Sequence, residues 1–351
     1  MSAVIAVAVC ITVPQMSGSA QATDAGKCGS YYAYVSNGSL CVRRTTTGAA
    51  VKIVSPGQIF SVDSCVMDDT YIYYAAVNKS GSKTWLYRIK PNGEGKTKMV
   101  ELTGKNTVLQ SKCGNSLIYT YNSATSSKVH TRRYKLGGSR TYKVRNDMVG
   151  DQQSGQYVVG TSYTATFAPT SLYSVKGETG DWHRLSRSCV AYRVIDNTVY
   201  YVEADAASAL SGTAVSVKAC DLEGKNVRTL AQNVPGVDLE QAIPTEKALY
   251  YVQHGGGAVC RYSYANKSKK TLISDPGDQS IFLNYLGDRI VVQDLDGSNT
   301  SYTNSVYTIG RSASQAVKQQ SLNSRYIFFA TGKTYYAEKS QTGTVSLGRF
   351  S

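Results

Sequence analysis

A chain of 351 residues with 42% hydrophobic and 18% charged residues can bury a core, and this balance excludes a disordered chain. Tyrosine is heavily used, with 27 residues against 6 Phe and 2 Trp, and tyrosine suits half-buried strands that keep one wet end. The formal net charge of +14 favours anionic partners.

The first predicted element is an apolar run over residues 3–13, followed by Pro14 and the small-x-small pattern Ala20-Gln21-Ala22. This order is typical of an export signal, although no Lys or Arg precedes the apolar run. We expect residues 1–22 to be removed, residues 23–351 to form a single domain, and the protein to be secreted. A buried first strand is the alternative interpretation. The run is shorter than the roughly 20 residues of a membrane span, so no transmembrane segment is predicted.

Tyrosine-rich apolar runs recur along the rest of the chain, each following a polar turn and answered by a second alternating run. The clearest unit joins residues 71–74, 85–90 and 96–100 through polar turns, which predicts three strands and two hairpins. Related runs are centred on Tyr32, Ile72, Leu117, Val158, Val199, Leu249, Ile290 and Ile327. Their mean spacing is about 42 residues, a period typical of β-propeller blades.

A run just before each of these centres, such as residues 60–66 or 107–111, supplies a fourth strand that would line a central channel. Because the chain begins at the second strand of a unit and its last spacing is short, both terminal units are incomplete. We therefore predict an all-β propeller of about 42-residue, four-stranded repeats. It would have seven or eight blades, a ring closed by mixed terminal strands to hide the sheet edges, and a surface loop at residues 204–212.

Three tyrosine pairs are expected to occupy equivalent strand positions in this propeller, with one ring of each pair buried between blades. They are Tyr73 and Tyr74, Tyr200 and Tyr201, and Tyr250 and Tyr251.

The pattern Asp-x-x-Ile-Tyr-Tyr at residues 69–74 is followed by Leu-Tyr-Arg-Ile-Lys-x-x-Gly-x-Gly-Lys-Thr-Lys at residues 86–98. These residues resemble the repeat of bacterial secreted β-propellers of unknown function, related to TolB-like and low-density-lipoprotein-receptor-type propellers. The resemblance is sharp over residues 68–100 and recognisable at 196–230 and 246–273. It implies a propeller fold and export, and it supplies no catalytic residues.

Several local motifs do not complete a chemical site. His254 precedes three glycines, as in an esterase oxyanion hole, but the chain has no Gly-x-Ser-x-Gly elbow and no later His. We interpret residues 254–257 as a hairpin turn, because glycine tolerates positive φ. The three histidines stand apart from other ligands, and residues 294–300 lack the Gly and Glu positions of a calcium loop. The sequence therefore predicts no metal and no cofactor.

Five carboxylates lie on or near the predicted inner strands: Asp63, Asp68, Asp69, Asp238 and Glu240. If these carboxylates converge at the channel mouth, they would suit a carbohydrate-active enzyme. If they occupy ordinary turn and rim positions, they would not. The favoured prediction is a non-enzymatic extracellular binding or scaffold protein that presents blade loops on a rigid propeller. The carbohydrate-active enzyme is the alternative.

The densest basic segment is residues 128–145, which contains no acidic residue. Its cations are Lys128, Arg132, Arg133, Lys135, Arg140, Lys143 and Arg145. They predict a site for an anionic cell-wall polymer or polysaccharide. A protein partner remains an alternative, and nucleic acid is not expected for an exported protein. The competing interpretation is that these cations only protect an outer edge strand from pairing with other chains.

Overall fold

The computed structural model describes the chain between residues 31 and 349, with gaps. The described residues are 31–36, 38–44, 51–57, 60–122, 129–146, 148–162, 170–204, 214–255, 257–274, 280–286, 289–295, 304–322, 326–330, 333–339 and 345–349. The predicted export signal lies outside them, as do Lys128 and most of the predicted surface loop. Those parts of the sequence interpretation therefore stay predictions.

Throughout the described ranges the regular elements are β-strands and the strand pairs are antiparallel. The all-β prediction is thereby confirmed. Within those same ranges, no helix has the length and apolarity needed to span a membrane.

The strands of the described ranges form seven sheets, and within each sheet the spatial order follows the chain. The first sheet contains β1 (Tyr31–Ser36), β2 (Ser39–Arg44) and β3 (Val51–Val54). The second contains β4 (Phe60–Met67), β5 (Ile72–Asn78), β6 (Thr84–Ile89) and β7 (Thr97–Leu102). The third contains β8 (Lys105–Cys113), β9 (Ser116–Asn122), β10 (Val129–Lys135) and β11 (Thr141–Asn146).

The fourth sheet has seven strands: β12 (Met148–Ser154), β13 (Tyr157–Ser162), β14 (Thr170–Lys176), β15 (Trp182–Ile195), β16 (Thr198–Glu203), β17 (Val215–Asp221) and β18 (Arg228–Val234). The fifth contains β19 (Val237–Pro244), β20 (Ala248–Gln253), β21 (Val259–Ser263) and β22 (Ser268–Ile273). The sixth contains β23 (Ser280–Leu286), β24 (Arg289–Leu295), β25 (Asn304–Gly310) and β26 (Val317–Leu322). The seventh contains β27 (Tyr326–Ala330), β28 (Lys333–Lys339) and β29 (Val345–Arg349).

The seven-stranded sheet consists of two four-stranded units that share one long strand. The first half of β15 pairs with β14, and its second half pairs with β16. Cys189 is paired on both sides, opposite Thr170 and opposite Glu203. The chain therefore passes from the last strand of one unit to the first strand of the next without leaving the ladder.

The first strands of successive units lie side by side, from β1 through β4, β8, β12, β15 and β19 to β23. The fourth strands are consequently the outer edges. The core is distributed between neighbouring sheets: Tyr73 of β5 packs in one cluster with Leu117 of β9, whereas Tyr74 packs in another with Leu40 of β2. Successive strand residues point to opposite faces, so each face of β5 covers a different neighbour.

The tyrosine pairs occupy equivalent positions in the second strands β5, β16 and β20, as the sequence predicts. The expectation of one buried ring per pair is wrong, because both rings of every pair are buried. A second strand has a neighbouring sheet on each face, so neither of its faces is exposed to solvent. The turn prediction at His254 also agrees with the structure, in which Gly255 has a φ of +72° between the paired strands β20 and β21.

Candidate functional site

The predicted basic segment folds into β10 and β11, the two outer strands of the third sheet. Arg132 lies opposite Lys143, and Thr131 lies opposite Arg145, with a register shift between Thr131 and Arg132. Directly opposite residues share a face of the sheet. The cations therefore divide between two faces, and the structure does not bring the whole predicted set together.

One face is turned toward the second sheet and is used for packing. Arg132 donates from Nε to the Thr141 hydroxyl at 3.1 Å and from Nη2 to the Thr141 carbonyl at 3.2 Å. Tyr134 on this face is 2% exposed and belongs to the cluster that includes Tyr73. Lys143, opposite Arg132, is exposed. Arg132 is thus held by its own sheet rather than offered to a ligand.

The other face is turned toward β12 to β15. The Thr131 hydroxyl donates to the carbonyl of Met148 in β12. Arg133 donates from Nη1 to the carbonyl of Glu178, which lies in the turn between β14 and β15. These contacts place the outer halves of β10 and β11 against the next unit.

Two guanidinium groups lie against the ring of Tyr142 on this face, and the charge of Lys135 also acts on it. The Cζ atoms of Arg133 and Arg140 lie 4.9 Å and 5.1 Å from its centroid. Arg140 donates from Nε to the Tyr142 hydroxyl at 3.3 Å, and this hydrogen bond is the main reason that the pKa of Tyr142 is lowered. The charges of Arg140, Arg133 and Lys135 act in the same direction. The positive potential is therefore concentrated at one half-buried ring.

Arg145 reaches across to two aromatic rings of the next unit. Its Nη2 donates to the hydroxyl of Tyr173 in β14 at 2.6 Å. Its Cζ lies 3.7 Å from the Tyr173 centroid and 4.3 Å from the Trp182 ring of β15. Burial opposes a lower pKa of Tyr173, but hydrogen bonding by Ser171 and the charge of Arg145 lower it on balance. Cation–π contacts of this kind are worth about 0.5–2 kcal/mol.

We call this region the basic seam, the surface at which the outer halves of the third sheet and of the unit β12–β15 meet. Arg184 of β15 belongs to it, because it lies opposite Tyr173 and two residues from Trp182 on the same face. The basic seam comprises Arg133, Lys135, Arg140, Tyr142, Arg145, Tyr173, Trp182 and Arg184. Five cations face it, while the turn that closes one end carries the carboxylates of Glu178 and Asp181. Its charge is net positive.

Sequence reasoning missed the second wall of the basic seam, formed by Tyr173, Trp182 and Arg184. One signal was available, since the chain has only two tryptophans and Trp182 opens a strand that also carries Arg184 and Arg187. The spacing of repeats does not say which faces of two units meet. For that reason the cross-unit contacts became visible only in the structure.

The candidate catalytic carboxylates have different surroundings. Asp68 holds a turn and forms an ion pair with Lys112, with 3.1 Å between Oδ2 and Nζ. Asp63 lies at a register shift in β4, where burial raises its pKa. Asp69 is exposed in the same turn as Asp68, Asp238 lies half-buried on β19, and nothing is described of the Glu240 side chain. The part of the chain that the structure describes contains no group of three or more His, Cys, Asp or Glu side chains arranged to hold a metal.

Comparison with known proteins identifies the fold. No protein-family model and no curated protein matches the sequence. Among solved structures, the chain is similar to a prolyl endopeptidase from a study of two such enzymes, with 11% identity and a TM-score of 0.54 over 97% of this chain and 53% of that one. It is also similar to oligopeptidase B from Leishmania major, with 9% identity and a TM-score of 0.59 over 91% and 51% of the two chains.

The fold is all-β and propeller-like. At 9–11% identity the likeness shows the fold alone, and the chain spans about half the length of either structure. The relation to TolB-like and receptor-type repeats stays a prediction.

Proposed function

We propose that this protein is a non-enzymatic, exported binding protein that holds an anionic polymer of the cell envelope in the basic seam. One observation carries the proposal: five cations and three aromatic rings from two neighbouring units lie together where those units meet. Guanidinium groups bind carboxylate, phosphate and sulfate groups through paired hydrogen bonds, which gives geometry as well as charge.

The proposal includes a closed propeller as the scaffold for the basic seam. In the described ranges the two terminal sheets have three strands each, one fewer than the units between them, and these incomplete units support a ring closed by strands from both chain ends. If the two sheets stand as separate blades there are eight blades, and if they combine into one six-stranded blade there are seven. Closure would cover edges that otherwise invite pairing with other chains.

The first test compares two double variants with the same change in charge. Lys135→Glu with Arg140→Glu alters the basic seam, and Lys96→Glu with Lys98→Glu alters the outer edge of the second sheet; all four side chains are exposed. Arg132 is left intact, because it is bound to Thr141. At low salt we expect the seam variant to lose about tenfold or more in affinity for an anionic wall polymer, and the edge variant about threefold or less.

Calorimetric titration of the purified protein with teichoic acid measures these affinities, and repeating it at several salt concentrations should show a steep loss, since exposed charges are screened beyond about 10 Å at 0.1 M. Equal losses of affinity in both variants would contradict a specific site and would support edge protection as the role of residues 128–145. The same samples, incubated with acidic polysaccharides, test the alternative that the protein is a carbohydrate-active enzyme. Release of reducing sugar that Asp63→Asn abolishes would overturn a purely binding role.

A further inference from the structure

Trp182 is the one aromatic side chain among the strongly exposed large hydrophobic residues of the described ranges, and it contacts Arg145 and Tyr173 of the basic seam. It is 47% exposed. Single exposed apolar residues are common and need no function by themselves. Trp182 differs because its ring is fixed by specific partners.

Two neighbours hold the indole in one orientation. Tyr173 meets it edge-on, with 5.6 Å between centroids and an interplanar angle of 81°. Arg145 lies 4.3 Å from the ring and is itself bound to the Tyr173 hydroxyl at 2.6 Å. A side chain already fixed in the free protein loses little conformational entropy when a ligand covers it.

The groups beside this ring are guanidinium groups. Arg145 is in contact with the ring, and Arg184 projects from the same face two residues further along β15. A guanidinium group binds a carboxylate with two parallel hydrogen bonds. An aromatic face offers a flat apolar surface suited to the C–H face of a sugar ring. The combination matches a ligand that carries a carboxylate on a pyranose ring.

The other rings of the basic seam do not offer a second platform. Tyr173 is 4% exposed, and Tyr142 is half-buried with two guanidinium groups, those of Arg133 and Arg140, against its ring. Trp182 has one such neighbour, Arg145, and 47% of its surface is exposed. Single-stranded nucleic acid is bound by several rings on which successive bases stack. One available ring beside two guanidinium groups favours recognition of one sugar residue at a time.

We propose that Trp182, Arg145 and Arg184 form a subsite for one uronic acid residue of an acidic polysaccharide. This inference rests on the proposed function of the basic seam and narrows its ligand from any polyanion to a carboxylated sugar polymer. Trp182 covers the sugar ring, and the two arginines bind its carboxylate.

The test uses alginate, a uronic acid polymer, and inorganic polyphosphate, an anionic polymer without sugar rings. Trp182→Leu should lower the affinity for alginate about tenfold and leave the affinity for polyphosphate within about twofold. Arg184→Gln should weaken alginate binding as well. Val317→Ala, at another strongly exposed apolar residue, serves as the control and should change neither affinity. Matching urea midpoints would show that each variant is folded.

A second readout follows Trp182 directly. In the Trp85→Phe background Trp182 is the only tryptophan of the chain, so its fluorescence reports on the subsite. Alginate should protect it from acrylamide quenching, while polyphosphate should not. Protection by oligo(dT) without protection by alginate would overturn the inference and favour nucleic acid as the ligand. If Trp182→Leu lowers the affinities for alginate and for polyphosphate equally, Trp182 has only a structural role and the inference is also wrong.

The outcomes separate the two proposals. If Lys135→Glu with Arg140→Glu weakens binding of both polymers and Trp182→Leu weakens neither, the polyanion site stands and the uronic acid subsite falls. If the wild-type protein binds none of the teichoic acid, alginate and polyphosphate, both fall.

Discussion

Asp68 shows how one carboxylate can join a turn, a strand and a neighbouring sheet. Its Oδ1 accepts hydrogen bonds from the backbone N–H groups of Thr70 at 2.9 Å and Tyr71 at 2.8 Å. Its Oδ2 accepts from the Tyr73 hydroxyl at 3.1 Å and lies 3.1 Å from Lys112 of β8. The sequence proposed this residue for a catalytic group. Its contacts give it a structural role between the second and third sheets.

Replacing Asp68 by Ala should lower the free energy of unfolding by about 1–3 kcal/mol, because it leaves backbone N–H groups and Lys112 without their acceptor. Urea unfolding at pH 7 measures the change. Asp69→Ala, at the exposed neighbour, is the control and should stay within about 0.5 kcal/mol.

The loss of stability in Asp68→Ala should depend on pH. Burial raises the pKa of Asp68, but the hydrogen bonds from Tyr71 and Thr70 and the ion pair with Lys112 lower it on balance. A carboxyl group with a lowered folded-state pKa stabilises the fold above its unfolded pKa, near 3.8, and loses that contribution as the pH falls through the folded value. The difference between wild type and Asp68→Ala should therefore be constant above about pH 5 and shrink below about pH 4. A constant difference down to pH 2 would contradict the ionic part of this role.

At the scale of elements, inner strands are joined by side chains that bond to the backbone of the next unit. Gln152 of β12 accepts from the N–H of Val194 in β15 at 2.7 Å and donates to the carbonyl of Tyr192 at 3.1 Å. Gln241 of β19 accepts from the N–H of Leu283 in β23 at 2.8 Å. Ser64 of β4 accepts from Leu109 in β8 at 2.9 Å, which links the second and third sheets in the same way.

Gln152→Ala should therefore loosen the contact between β12 and β15. We expect a loss of about 1–3 kcal/mol in the free energy of unfolding, because two backbone groups in a part-buried contact lose their partner. Hydrogen exchange at the Val194 amide should accelerate more than at amides of β5. Gln153→Ala is the matched control, since the Gln153 amide bonds only within its own turn, to Gly155 at 3.4 Å. Equal effects of the two variants would contradict the cross-unit role.

The second strands of the six four-stranded units were predictable, and the details of the first strands were not. The prediction that Tyr32 and Ile327 also mark second strands is wrong, because they lie on β1 and β27, the first strands of the two terminal sheets. Runs such as Ile72-Tyr73-Tyr74 predict a strand, because consecutive apolar and aromatic residues need burial on both faces of a sheet. Asp63 and Gln110 lie at register shifts of β4 and β8, which no pattern in those runs announces. A register shift of this kind depends on which backbone groups of the neighbouring unit are available for hydrogen bonding. Ser64, next to Asp63, bonds across units for that reason.

Over the whole molecule, the positive charge follows the outer edges of the sheets. In all six four-stranded units a cation of the outer strand lies opposite a residue of the third strand: Lys98 opposite Tyr87, Lys143 opposite Arg132, Arg184 opposite Tyr173, Arg228 opposite Ala219, Lys269 opposite Tyr262, and Lys318 opposite Tyr307. Charged residues at an edge discourage pairing with another chain. Edge protection and ligand binding therefore use the same residue types, and the basic seam is distinguished by its two facing walls.

Removing the charge at one edge should promote self-association. Lys269→Val with Lys270→Val leaves β22 with a more apolar exposed edge, so we expect larger particles by static light scattering as the concentration rises. Lys79→Val with Lys247→Val removes the same charge from exposed turns and serves as the control. If both variants remain as dispersed as the wild type, edge protection does not explain the cations of β22.

The basic seam was only half predictable for a reason that applies to the whole molecule. Arg133, Lys135, Arg140 and Arg145 are close in sequence, so their density was visible, but the register shift at Thr131 assigns Arg132 and Lys143 to the opposite face. The facing wall is contributed by β14 and β15 of the next unit. Repeat spacing predicts which strands exist, whereas the choice of facing side chains is a property of the packed pair.

The long strand β15 has a consequence for how the molecule opens. Other neighbouring units in the described ranges meet mainly through side chains, as β19 and β23 do through Gln241, and can separate while each keeps its own ladder, as in repeat proteins whose units unfold stepwise. The units on either side of β15 share backbone hydrogen bonds through Cys189, so loss of one ladder removes the template of the other. Local unfolding there should involve both units as a single cooperative block. The first wall of the basic seam belongs to the neighbouring sheet and the second wall to this block, so the basic seam lies where a smaller and a larger unfolding unit meet.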